Sequence, residues 1–257
     1  IYREVILSTK DFLSVSDITP QELQQLIASA RAMKASRWSS VLEREILVLM
    51  FEKPSTRTRV SFDTGMREMG GHCIYLSPDE VGLGKRESAR DVALVLSRYA
   101  SVIAARTFAH RTVEELAAYA TVPVINALSD LEHPCQALAD IMTIAEHKGD
   151  LQGLTLAYAS DGNNVLHSLL LAGAMAGVHC RIASPWGYEL NAGILEKARG
   201  YAALSGAKIH CGDDPEEAMN GADVVYADVW TSMGQETEAE QRRKAFAPFQ
   251  ITEKLLS

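Results

Sequence analysis

Short apolar runs rich in Val, Ile, Leu and Ala recur along the chain, and each is followed by a segment with helical spacing. The run 46–51, Ile-Leu-Val-Leu-Met-Phe, is apolar without interruption, the pattern of a strand covered on both faces. Thr19-Pro20-Gln21-Glu22 reads as a helix start, with Thr19 as N-cap and Pro20 in the first helical position, and this helix runs to about Lys34. Strands are then predicted at 46–51, 72–77, 101–106 and 122–127, with helices at 56–69, 87–99 and 112–120. A long helix runs from Pro134 to His147, and Gly149-Asp150-Leu151-Gln152-Gly153 breaks the pattern. A second series follows, with strands at 154–159, 179–184, 207–211 and 223–228 and helices at 163–176, 191–205 and 215–220. Two such series predict an α/β fold of two doubly wound parallel-sheet domains with helices on both faces. The expected division is a first domain over 1–133, a linking helix over 134–147 and a second domain over 148–257.

Ligands of open parallel sheets bind beyond the C-terminal ends of the strands, so the residues that follow each strand carry the functional information. After 46–51 comes Ser55-Thr56-Arg57-Thr58-Arg59, at a strand-to-helix turn. Hydroxyls, two guanidinium groups and the N–H donors of a helix start suit a phosphate dianion. A capped helix start with solvated arginines is the plainer alternative. Arg106 ends the strand 101–106, where a charge is costly unless paired, and reads either as a structural ion pair or as a third guanidinium on the anion. His133 and Gln136 flank Pro134 at a helix mouth, where both can donate to a carbonyl oxygen, although His133 taken alone reads better as a cap. Asp161-Gly162-Asn163-Asn164 is a tight strand-to-helix turn without the G-x-G-x-x-G of a dinucleotide site. Gly82-Leu83-Gly84-Lys85-Arg86-Glu87-Ser88 departs from a phosphate loop at two positions and reads as a charged, flexible loop. Past the last strand, Asp228 can pair with an ammonium, while Ser232 and the backbone around Met233-Gly234 can hold a carboxylate. The alternative is an ordinary Asp-terminated strand and a glycine turn.

Composition narrows the function class. The 257 residues carry a formal net charge of -8, which argues against a general nucleic-acid binder but not against a local basic pocket. The apolar run 169–178 is too short to span a bilayer. Cys73, Cys135, Cys180 and Cys211 have no metal-ligand spacing and fit free thiols in a reducing cytoplasm.

In combination these motifs closely resemble the aspartate/ornithine carbamoyltransferase superfamily over essentially the whole chain. Ser55 to Arg59 is similar to its carbamoyl phosphate motif, and Arg106 and His133-Pro134-Cys135-Gln136 follow in the family's order. Asp228 through Gly234, then Gln235-Glu236, resembles the Ser-Met-Gly loop of the ornithine branch, which Asp161-Gly162-Asn163-Asn164-Val165 also fits. The resemblance implies that the first domain binds carbamoyl phosphate and the second L-ornithine. Ser55, Thr56, Arg57, Thr58 and Arg106 would hold the phosphate. His133 and Gln136 would address the carbamoyl group, with Thr58 and Arg106 helping at its carbonyl oxygen. Asn164, Asp228, Ser232 and Met233 would hold ornithine.

The implied reaction gives L-citrulline and phosphate, with Arg57, Arg106, His133 and Gln136 as the catalytic groups. It calls for no metal and no organic cofactor, because a neutralised phosphate is already a competent leaving group. A homotrimer, or a multiple of trimers, is the implied assembly, with no nucleic-acid or membrane partner. A sister carbamoyltransferase using another amine and a non-catalytic truncated subunit are the alternatives. Gly82 stands where many relatives carry a polar side chain that reaches a neighbouring subunit. The family's His-Cys-Leu-Pro motif and a later arginine are not found before Ser257, so a C-terminal part is expected to be missing.

Overall fold

A computed structural model describes residues 6–83, 87–231 and 236–256. The chain divides between Gln136 and Ala137 into two compact units. The first opens with a 3-10 turn, Val15–Asp17, and helix α1, Pro20–Ala35. Thr19 and Glu22 form a reciprocal capping box at the start of α1: Glu22 N donates to Thr19 Oγ1 at 3.2 Å, and Thr19 N donates to the Glu22 carboxylate at 2.7 Å. Strands β1 (Ile46–Phe51), β2 (His72–Leu76), β3 (Val102–Arg106) and β4 (Val124–Leu128) then alternate with α2 (Thr56–Glu68), α3 (Pro78–Val81), α4 (Ala89–Leu96) and α5 (His110–Tyr119). All pairings are parallel, in the order β2-β1-β3-β4. Strand periodicity sends Leu47, Leu49 and Phe51 to one face, with Met66 and Phe62 of α2. It sends Val48 and Met50 to the other, with Val92, Val113 and Leu116 of α4 and α5. Burial on both faces explains why β1 is apolar throughout.

Helix α6, Pro134–Lys148, crosses the division. The second unit contains β5 (Thr155–Ala159), α7 (Asn164–Met175), β6 (His179–Ala183), α8 (Ala192–Ser205), β7 (Ile209–Gly212), α9 (Pro215–Met219) and β8 (Val224–Tyr226). Its sheet is again parallel, ordered β7-β6-β5-β8. Every residue of α7 from Leu166 to Met175 is buried, as an almost entirely apolar helix requires.

Three features depart from the expected pattern. A single turn, α3, precedes the segment read as a loop; Glu80 accepts from Ser77 N, and Gly82 closes the turn at φ +55°, a conformation glycine adopts without strain. Beyond it Leu83 and Glu87 bridge, and residues 84–86 lie outside the described residues. Strand β8 covers only part of 223–228, because the Asp223 carboxylate accepts from Thr155 N at 2.8 Å and the ladder ends at Tyr226. Helices α10 (Ala239–Phe246) and α11 (Glu253–Leu256) follow β8. The polar surface of α10 hides its helical period, and it is fixed by burying Arg242 and Phe246.

Gly162 is needed for close approach rather than for an unusual dihedral. Its N–H donates to Tyr188 O at 2.8 Å, and a Cβ there would sit 2.3 Å from Leu190 N and 2.4 Å from Glu189 C. Both obstacles are backbone, so Gly162→Ala is expected to lower stability by about 1–3 kcal/mol, read as a fall in the urea midpoint at unchanged slope.

Candidate functional site

In each sheet the strand order reverses once, between β1 and β3 in the first unit and between β5 and β8 in the second. Such switch points open a crevice at the C-terminal strand ends. The turns after β1 and β3 fall at the first of these places, and those after β5 and β8 at the second.

At the first, Phe51 and Arg106 are register partners at the ends of β1 and β3. Ser55 is the N-cap of α2, and its hydroxyl lies 3.0 Å from Thr58 Oγ1 and 3.4 Å from Thr58 N. The first turn of α2 contains no acidic residue, so beyond the Ser55 cap on Thr58 N no carboxylate of that turn offsets the positive end of its dipole. Arg106 leaves β3 where the register with β4 shifts between Ala105 and Arg106, the kind of irregularity that re-aims a side chain. It is 6% exposed. Its Nη1 donates to Thr58 Oγ1 at 3.4 Å, while its buried Nε has no hydrogen-bond partner among the described residues. Burial, and then the charge of Arg57, lower its pKa; no carboxylate among the described residues acts against them. A buried guanidinium in this condition has donor capacity left for an anion.

Two further groups complete the cluster. Lys53 lies in the turn before Ser55, with its ammonium 4.8 Å from the centre of the Phe108 ring. Burial and then Arg106 lower its pKa. Sequence reading passed over Lys53, although it belongs to the same turn as the phosphate motif. His133 stands directly before α6, and Gln136 N donates to His133 O at 3.1 Å in the first turn. Burial, then Arg106 and then Lys53 lower the His133 pKa to about 4. The ring is therefore uncharged near neutrality and acts there as a hydrogen-bonding group rather than a cation. Thr56 and Arg57 are exposed on the first turn of α2, and Gln136 is half-buried.

At the second switch point Asn163 meets Asp228, two residues beyond β8. Asn163 Oδ1 accepts from Val165 N and Leu166 N at 3.0 and 3.1 Å, capping α7. Its Nδ2 donates to Asp228 Oδ2 at 2.9 Å, and Asp228 Oδ1 accepts from Val229 N at 2.8 Å. The half-buried Asp228 carboxylate is thus held in one orientation. An N-cap signal directly after Gly162 could have singled out Asn163. Asn164 opens α7 and is half-buried; Ser232 and Met233 lie outside the described residues.

A buried ion pair braces the same turn: Arg242 Nη2 donates to Asp161 Oδ2 at 2.6 Å. The guanidinium also lies 4.9 Å from the Tyr188 ring and 5.7 Å from Phe246, which stacks with Trp230 at 6.3 Å. Burial raises the Asp161 pKa, and Arg242 opposes that shift. Nothing local in the sequence marks Arg242, since its partner is 81 positions away.

Two α/β units, each with charged side chains at its switch point, define the class as a two-domain α/β ligand-binding protein. Residues 10–146 match the carbamoyl-P binding domain of aspartate/ornithine carbamoyltransferases, and residues 152–257 match the Asp/Orn binding domain. The chain belongs to the aspartate/ornithine carbamoyltransferase family. It is 51% identical over 254 residues to the ornithine carbamoyltransferase of Anoxybacillus flavithermus, covering 97% of this chain and 81% of that protein. The solved ornithine carbamoyltransferase of Pyrococcus furiosus superposes with a TM-score of 0.93 at 46% identity, over 98% of this chain and 82% of that one. The anabolic ornithine carbamoyltransferase of Campylobacter jejuni gives 0.92 at 38% identity, over 96% and 82%.

The low His133 pKa has a consequence for the ligand-free protein. The unfolded chain takes up this proton near pH 6.5, the folded chain only near pH 4. The unfolded state therefore binds more protons between those values, and stability contributed by the neutral ring is lost as pH falls through them. Urea unfolding at pH 6.5 and 4.5 should show a stability loss about 2 kcal/mol smaller in His133→Asn than in the parent.

Proposed function

We propose that this protein acts as an ornithine carbamoyltransferase, moving the carbamoyl group of carbamoyl phosphate to the δ-amine of L-ornithine to give L-citrulline and phosphate. The observation that carries this reading is the buried Arg106 near the N-terminus of α2: its charge lowers the pKa of Lys53 and of His133, and among the described residues no carboxylate offsets it. The names of the relatives point to the same reaction, and none supports another acceptor amine or a catalytically silent subunit.

In this reading Ser55, Thr56, Arg57 and Thr58 hold the phosphate, joined by Arg106, and Lys53 adds a nearby cation. The uncharged His133 ring and Gln136 donate to the carbamoyl carbonyl, with Thr58 and Arg106 assisting. Asn164, Asp228, Ser232 and Met233 receive the amino-acid end of ornithine. Asp228 pairs with the α-ammonium, and Asn163 keeps its carboxylate aimed. The neutral δ-amine attacks the carbamoyl carbon, a C–N bond forms, and the C–O bond to phosphate breaks. The phosphate leaves with the bonding pair and takes up the one proton that the amine nitrogen gives up. Cations already in place stabilise the charge that develops on the carbonyl oxygen and the leaving phosphate, while binding both substrates supplies orientation.

A homotrimer or a multiple of trimers is the assembly we assign, on the strength of the family resemblance. The cytoplasm is the compartment we assign, supported by buried free thiols such as Cys180. Among the described residues no helix is long and apolar enough to cross a membrane.

Citrulline formation with ornithine, putrescine or N-acetylornithine as acceptor tests the reaction: ornithine is expected to be carbamoylated fastest, and turnover of putrescine alone would overturn the assignment. Arg57→Ala should lower kcat by about 100-fold or more, because it removes a cation from the phosphate site. Asp228→Asn should raise the KM for ornithine about tenfold or more while leaving that for carbamoyl phosphate within about twofold. Equal changes in both constants would refute the division of labour.

A further inference from the structure

Glu132 directly precedes His133 and is 1% exposed, yet no step of the proposed reaction uses it. A buried carboxylate persists where its oxygens find donors. Here the donors come from the start of the chain: Ser14 Oγ donates to Oε1, and Val15 N donates to Oε2 at 3.0 Å. The backbone of Glu132 is held as well. Its N–H donates to Ser129 Oγ at 3.3 Å, and its carbonyl accepts from Ser129 N at 2.9 Å and from Asn126 Nδ2 at 3.5 Å. Asn126 Nδ2 also donates to Leu13 O at 2.8 Å. Residues 13–15 therefore grip the corner 126–132 through a carbonyl, a hydroxyl and an N–H.

This strap is stiff in its own right. The Asp17 carboxylate accepts from Leu13 N and Ser14 N at 2.7 and 2.8 Å, and Ser14 Oγ accepts from Ser16 N at 3.0 Å. Just before it, Phe12 joins the edge of the sheet, its N–H donating to Val124 O and its carbonyl accepting from Asn126 N. The strap is thus registered to β4, the strand that leads into the His133 corner.

We propose that Glu132 is a positioning residue for His133: it ties the corner 129–133 to the strap 13–17 and so sets the point from which the His133 ring meets the carbamoyl carbonyl. The inference rests on the role given to His133 under Proposed function. A helix cap alone leaves the ring free to swing with its loop. A buried acid bonded to a second segment removes that freedom, and a misplacement of about 1 Å in a catalytic group can reduce rate about 100-fold.

The test is a double-mutant cycle on kcat with carbamoyl phosphate and ornithine, using the full chain. Glu132→Gln keeps the shape but loses an acceptor oxygen. It is expected to lower kcat by about ten- to 100-fold in the parent, and by less than about threefold in the His133→Asn background, because its effect passes through the ring. The same fold-loss in both backgrounds overturns the proposal and leaves the role of His133 standing, as does an unchanged kcat in Glu132→Gln alone. A wild-type kcat in His133→Asn overturns both the proposal and the reading it rests on. Should Glu132→Gln fail to fold, the cycle is read with Ser14→Ala, which removes one donor and leaves the Val15 bond in place, and the same outcomes apply.

Discussion

A cation buried without a carboxylate is the constraint around which the first unit is organised. Arg106 sits at the end of a strand whose other residues fill the core, where an unpaired charge opposes folding. An ion pair would relieve that penalty and would also fill the site. The fold instead sets it near the positive end of the α2 dipole, with the Thr58 hydroxyl as acceptor for its Nη1. Neighbouring Lys53 and His133 feel the same field, and both are shifted toward their uncharged forms. A phosphate group there would resolve these tensions together, so that in the proposed reaction substrate binding and relief of local electrostatic stress become one event.

The second unit handles charge in the opposite way. Asp161 is buried against Arg242 in a closed pair, and the Asp228 carboxylate is steered by Asn163 and Val229 while it remains half-exposed. The pair makes the turn rigid, and the steered carboxylate stays available. Removing one partner of a buried pair leaves an uncompensated charge, so the brace tolerates little change. Gly162 allows the turn to pack against the backbone at 189–190, which no side chain would permit.

Much of the architecture was legible from pattern alone. β1 and β5 are apolar on both faces because helices cover both, and that signal needs no long-range information. The caps at Thr19 and Ser55 and the proline at the start of α6 are equally local. What escaped was short or polar on its outer surface: α3 is a single turn, and α10 is recognisable only by the two residues it buries.

The site divides along the same line. Ser55, Arg57, Arg106, His133 and Asp228 could be proposed because each sits at a strand end or in the few residues after one, and strand ends follow from hydrophobic pattern. Their environments could not. Arg106 reads equally as half of an ion pair until its lack of a carboxylate is seen, and His133 reads as a cap until its burial beside two cations makes it neutral. Asn163, Arg242 and Glu132 acquire meaning only from partners 65, 81 and 118 positions away. Local sequence carries turn chemistry and strand order, since both depend on neighbouring residues. Charge state and orientation depend on desolvation and on groups brought in from elsewhere in the chain, and those exist only once the chain has folded.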